Sequence, residues 1–151
     1  MTEAEKILLL WKDDEDMVKM FSFFFQEHGY FIESVVSDEK CFELCAINPP
    51  HVLLINCSFS QPNITLEFVR KFRSYPKIPY VPIVVGNVNF ADRKEEDGHM
   101  AFFKVGVNAC FGHVFDVEDV LKQVKLLIEK PKTVNLVDKN TALWYGNSKA
   151  E

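Results

Sequence analysis

The chain has 151 residues, 48% of them hydrophobic and 26% charged, with a net charge of -5 and a pI near 5.4. That is the length of one domain able to bury its own core, and its mild acidity argues against direct binding of nucleic acid by phosphate neutralisation. No apolar run is long enough to span a membrane and the start, MTEAEK, is polar. The four cysteines (Cys41, Cys45, Cys57, Cys110) show neither CxxC nor zinc-finger spacing, so they read as buried reduced thiols of a cytoplasmic protein.

Residues 7–11 form a short apolar strand, stopped by Lys12-Asp13-Asp14-Glu15-Asp16. Acidic residues suit the first turn of a helix, whose free N–H groups and dipole favour negative charge. Met17, Met20, Phe21, Phe24 and Phe25 then recur at helical spacing, with Gly29 as the expected C-cap. Residues 31–36 predict a second strand. Ser37 caps a short helix carrying Cys41, Phe42, Leu44 and Cys45, which Asn48-Pro49-Pro50 terminates. Residues 51–56 are the clearest buried strand: unbroken apolarity means that both faces are covered, as in a parallel sheet. After a loop with Ser60, Gln61 and Pro62, a third helix carries Leu66, Val69, Phe72 and Arg73. Residues 80–85 predict a fourth strand closed by Gly86-Asn87, and the charged stretch 91–98 a mobile loop. A short helix (100–104), a fifth strand (108–111) and a last helix capped by Asp116 complete the pattern.

Five βα units in succession predict a doubly wound α/β domain of the flavodoxin-like type, with a five-stranded parallel sheet in the order 2-1-3-4-5 and helices on both faces. The expected domain is residues 1–130. Residues 131–151 form a tail whose Leu136, Val137, Leu143, Trp144 and Tyr145 are too apolar for an inert linker; it either packs on the domain or leads to a further one.

In an open parallel sheet the functional site lies at the carboxyl ends of the strands. Over residues 6–130 the element order, LLLWKDDED leading to a helix ending in HGY, PPHVLLIN, VPIVV and GVNACFGHVF resemble a response-regulator receiver domain of the CheY-like family. The resemblance implies phosphoryl transfer to an aspartate ending the third strand. A pair of acids after the first strand would hold magnesium, and a Thr or Ser and a Lys after the fourth and fifth would bind the phosphoryl group. Carried over by position, these parts depart. The acceptor is Asn56, whose carboxamide is a poor nucleophile. The acid pair is Lys12-Asp13, or Asp13-Asp14 if the register shifts by one. The hydroxyl position is Asn87 (or Gly86), the lysine is His113 followed by Val114, and the aromatic switch is Cys110.

The resemblance therefore implies a pseudo-receiver: a regulator in two-component or phosphorelay-type signalling that works by protein contact without phosphate, with no catalytic residue, no cofactor and at most a vestigial metal ligand in Asp13. Its partners would be a signalling kinase, an output domain or another regulator, or a second copy. The alternative is a flavodoxin-like domain or enzyme using the degenerate pocket for a small ligand. Lys12 is expected either to pair with Asp13 and stand in for the metal cation, or simply to point to solvent. Three further expectations follow. His113 could accept phosphate or sense pH. Cys57 could sense redox state if its thiol pKa were low. Phe102, Phe103 and Phe111, on the surface that receivers use for partners, would supply an exposed aromatic contact.

Overall fold

The computed structural model describes residues 3–58, 60–89 and 99–137. Strand and helix alternate as β1 (Lys6–Leu10), α1 (Glu15–Glu27), β2 (Phe31–Val35), α2 (Asp38–Ile47), β3 (Val52–Asn56), α3 (Pro62–Ser74), β4 (Ile83–Val88), α4 (His99–Lys104), β5 (Ala109–Gly112), α5 (Val117–Glu129) and β6 (Leu136–Val137). The strands form one sheet in the order β2-β1-β3-β4-β5-β6, and every neighbouring pair is parallel. This is the flavodoxin-like, CheY-like arrangement, extended by one strand.

Successive side chains of a strand point to opposite faces, and the core divides accordingly. Ile7 and Leu9, Val52 and Leu54, Val84, and Ala109 and Phe111 pack with Phe21, Phe25, Val120, Val124 and Leu127 of α1 and α5. Leu8 and Leu10, Leu53 and Ile55, Ile83 and Val85, and Cys110 pack on the other side with Cys41, Cys45, Leu66, Val69, Phe72 and Phe102 from α2, α3 and α4. All four cysteines are free and buried. Among the described residues no helix is long and apolar enough to cross a membrane.

The helix ends follow local chemistry. Asp14 caps α1, its carboxylate accepting from Met17 N at 3.1 Å; Ser37 caps α2 and Asp116 caps α5 in the same way. At the far end of α1, Gly29 takes φ +89°, Gly29 N donates to Gln26 O and Tyr30 N to Phe25 O, both at 3.0 Å. These paired backward bonds satisfy carbonyls that the helix leaves open, and the left-handed residue they require is one that glycine adopts freely.

Two departures concern the site. The fourth strand begins after Pro82 rather than at Tyr80 and runs two residues beyond Gly86. Asn87 takes φ +61° there, and the pairing with β5 slips between Val85 and Val88, so a bulge carries Asn87 within the strand instead of ending it. The tail, in turn, returns to the sheet: Leu136 and Val137 pair with Ala109 and Cys110, so residues 131–137 belong to the same fold as the other described residues. The charged stretch 91–98 lies outside the described residues, as do Leu143, Trp144 and Tyr145.

A buried polar hub fastens that tail at the amino ends of the strands. Asn108 is fully buried. Its Oδ1 accepts from Ile83 N at 2.8 Å and from Arg73 Nη2 at 3.0 Å, while its Nδ2 lies 2.9 Å from Thr133 O and 2.6 Å from Tyr80 Oη. The Arg73 guanidinium also donates to Gly106 O and Val81 O and lies 4.5 Å above the Tyr80 ring. One asparagine and one arginine thus join α3, β4, β5 and the tail.

Candidate functional site

The carboxyl ends of β1, β3, β4 and β5 bring Lys12, Asp13, Asn56, Asn87 and His113 to one rim, over a polar cleft of about 320 Å³ bounded by Lys12, Asn56, Cys57, Thr65 and Asn87. The residues are linked through the loops. Asn56 Nδ2 donates to Lys12 O at 3.2 Å, holding the turn in which Asp13 adopts φ +63°, a left-handed conformation that aspartate tolerates better than most residues. One strand over, Cys57 N donates to Gly86 O at 2.9 Å, and Asn87 Nδ2 donates back to Cys57 O at 3.3 Å. His113 Nδ1 sits 3.1 Å from Asn87 Oδ1. A carboxamide oxygen only accepts, so Nδ1 carries the hydrogen in this pair. His113 is thereby a hydrogen-bond donor to the β4 bulge.

Lys12 does not pair with Asp13. Its ammonium reaches Asp38 Oδ1 at 2.8 Å, in the first turn of α2. The physical reason lies in the backbone: Asp13 is turned outward by its positive φ and is exposed, whereas Asp38 faces the β1–α1 loop from the next helix. Both members of the pair are over a third exposed, so its contribution is limited to roughly 0.2–1 kcal/mol.

The resemblance implies a magnesium ion here, and the donors do not fit one. A hard divalent cation takes six or more oxygen ligands, with carboxylates foremost. At this rim Asn56 presents its amide N–H₂ to the Lys12 carbonyl, Asp14 spends one carboxylate oxygen on capping α1 and Asp38 is neutralised by Lys12. Among the described residues no group of three His, Cys, Asp or Glu is placed to hold a metal.

The fold that frames this rim has known counterparts. No family profile matches the chain, and a search of curated proteins finds no match. Solved structures do match. A LuxR-family two-component response regulator from Aurantimonas sp. SI85-9A1 superposes with a TM-score of 0.73 at 11% identity, covering 98% of this chain and 99% of that one. The receiver domain of the sensor histidine kinase PA1611 from Pseudomonas aeruginosa, with magnesium in its active-site cleft, gives 0.66 at 16% identity over 83% of this chain and 98% of that one. The chemotaxis protein CheY4 of Vibrio cholerae gives 0.66 at 19%, over 82% and 98%. The chain has the receiver fold. Identities this low establish the architecture, and the chemistry has to be argued from the rim itself.

On the receiver fold three expectations from sequence are corrected. Phe102 and Phe111 are fully buried and offer no surface. Phe102 fills the core beneath α4, and strand alternation turns Phe111 toward α1, where its ring stacks on Trp11 with centroids 6.4 Å apart and edges onto Phe21 at 6.2 Å. A Cβ placed on Gly86 would fall 2.3 Å from the Phe111 ring, so glycine at that position is required by the close approach. Phe103 is half-buried against the core. Cys57 is no reactive thiol: burial raises its pKa to about 11, partly offset by a hydrogen bond with Thr65, and its Sγ donates to Ser58 O at 3.3 Å. Cys110, where receivers carry the switching aromatic, is fully buried and its thiol is held protonated by desolvation. Sequence reasoning missed Asp38, and it named Asp14 as an alternative acid without its role as the cap of α1. The signal for Asp14 was its place three residues before Met17; nothing in the sequence linked Asp38 to Lys12.

Proposed function

We propose that the chain is a pseudo-receiver, a signalling module in a two-component or related pathway that acts by protein contact and without aspartyl phosphate. The observation that carries this reading is Asn56, whose Nδ2 donates to Lys12 O where a phosphorylated receiver would have a carboxylate nucleophile. A carboxamide has no anionic oxygen to attack a phosphodonor, and this one is engaged as a donor that closes the β1–α1 loop. The Asn56–Lys12, Asn87–Cys57 and His113–Asn87 contacts bridge all four strand ends with hydrogen bonds that involve no carboxylate, an arrangement suited to one fixed conformation rather than a charge-driven switch. Free, buried cysteines fit a reducing compartment such as the cytoplasm.

Magnesium with beryllofluoride or acetyl phosphate, followed by backbone amide NMR and intact mass, tests this. The expected result is no phosphoryl adduct and no saturable shift at Asn56, Gly86 or Asn87. Saturable shifts confined to the rim would overturn it. The 320 Å³ polar cleft favours a second reading, a small polar ligand held at the strand ends; a bound mass in native mass spectrometry of the purified chain would support it.

A further inference from the structure

Away from the strand-end rim, α2 turns two sulfurs into the core. Cys41 and Cys45 stand four residues apart, one turn along the same helix face, and both are fully buried in the apolar cluster that holds Leu8, Leu10, Val35 and Leu53. The two thiols meet: Cys41 donates a hydrogen bond to Cys45. That bond draws the Cys45 thiol below its ordinary value, burial opposes the shift and the Lys6 ammonium reinforces it. The other two cysteines are engaged differently. Cys57 donates to Ser58 O, and burial holds Cys110 protonated.

The charges around the pair are matched. At the amino end of α2, Lys12 meets Asp38 at 2.8 Å. At its carboxyl end, Lys6 reaches the carbonyl of the C-cap Asn48 at 3.4 Å and pairs with Glu33 at 3.3 Å. An apolar, charge-matched surrounding does not draw a hard cation, which would have to exchange its water for oxygen ligands. Sulfur selects differently, because thiolates bind soft metal ions.

Geometry narrows the class. Side chains four residues apart on a helix hold their Cβ atoms about 5–6 Å apart, too far for a disulfide, which needs about 3.5–4.5 Å. Two metal–sulfur bonds of about 2.3 Å each span up to about 4.6 Å between sulfurs, which one helical turn supplies without unwinding. Zinc closes its structural sites with four ligands, and among the described residues no group of three His, Cys, Asp or Glu is placed to hold a metal. Two sulfurs alone suit an ion content with two soft ligands, such as copper(I).

We propose that Cys41 and Cys45 form a two-sulfur binding site, on the buried face of α2, for a soft monovalent cation of the copper(I) class. On binding, each S–H bond breaks and a metal–sulfur bond replaces it. Two protons pass to solvent and the metal keeps its oxidation state. The single negative charge of the complex falls between the two ion pairs, with the Lys12 ammonium acting on Cys41 against Asp38, and the Lys6 ammonium acting on Cys45. Both sulfurs are covered, so the ion enters when α2 opens locally and loading is expected to be slow. The site is independent of whether the cleft at Asn56 binds anything.

The test uses the full chain, reduced and free of oxygen, titrated with copper(I) held by bicinchoninate, whose colour falls as metal is withdrawn. The folded chain is expected to withdraw one ion and to melt at a higher temperature once loaded. X-ray absorption at the copper edge should show two sulfur neighbours. Cys41→Ala/Cys45→Ala, with its folding checked by circular dichroism, is expected to lose at least about tenfold in affinity, and Cys57→Ala/Cys110→Ala to keep the wild-type value. A wild-type chain that withdraws no copper would overturn the proposal. So would oxygen or nitrogen neighbours in place of sulfur, an affinity that follows Cys57 and Cys110 instead, or binding that appears only in urea, where every thiol is exposed. The coordination and melting measurements are made on the wild-type chain, so they decide the question even where a variant fails to fold.

Discussion

The two ends of the sheet are held together in opposite ways. At the amino ends, fully buried Asn108 and the largely buried Arg73 guanidinium bond to backbone carbonyls, a backbone N–H and a tyrosine hydroxyl at distances mostly of 2.6–3.0 Å. At the carboxyl ends, half-exposed amides and an exposed imidazole make contacts of 3.1–3.3 Å, two of them through Asn87. The site where receivers do their chemistry is the loosely tied end, and the dense polar network serves architecture. A buried polar cluster marks what the fold cannot lose, and a solvated one marks where function can change without unfolding the chain.

Mutations break or sharpen that contrast. Asn108→Ala should be the most damaging, because it strands the Ile83 N–H and removes a partner from the half-buried Arg73. A loss of about 2–4 kcal/mol is expected, read as a lower midpoint in urea. Gly86→Ala drives a methyl into the Phe111 ring and should cost about 1–3 kcal/mol by the same measurement; no loss would mean that the ring has room to move. Cys57 gives a pH signature. Its folded pKa of about 11 lies above the ordinary thiol value of 9.0, so the fold holds the proton more tightly than the unfolded chain does. Stability should therefore be unaffected by this group below pH 9 and decline as pH rises from 9 to 11, and Cys57→Val should flatten part of that decline in a series of thermal melts. Lys12→Ala should have the smallest effect, under about 1 kcal/mol, because the ion pair with Asp38 is exposed to solvent. A large drop in melting temperature would restore to Lys12 the cation-like role that its sequence position suggested.

Much of the fold was legible because local chemistry and global pattern agree. The unbroken apolarity of β1 and β3 announced a sheet covered on both faces, and Gly29, Ser37 and Asp116 stand at helix ends as read. The remainder depended on geometry that no short window of sequence contains. The bulge at Asn87 is a backbone conformation, and it carries β4 past the Gly-Asn pair that looked like its end. The Lys12–Asp38 pair spans 26 positions and two loops. Phe111 reads as a surface aromatic only until the parity of β5 is known, and two residues of β6 are too few to show periodicity. The rim positions fared differently: strand ends are predictable from strand order, so Lys12, Asn56, Asn87 and His113 do converge. Their hydrogen-bond directions could not be read from residue type alone.

The tail strand sets how this chain can be cut. A boundary drawn where α5 ends would remove Thr133 O from the Asn108 hub and Leu136 N from Asn108 O. It would also bare the outer hydrogen-bonding groups of β5, an edge strand of buried, largely apolar residues. Unprotected edges of that kind recruit other strands. A version ending at Lys130 is therefore expected to aggregate, and one extending through Val137 to stay dispersed, when their light scattering is compared at equal concentration. Seven residues that look like a linker act as a selvedge, the finished border that keeps a woven sheet from taking up further threads.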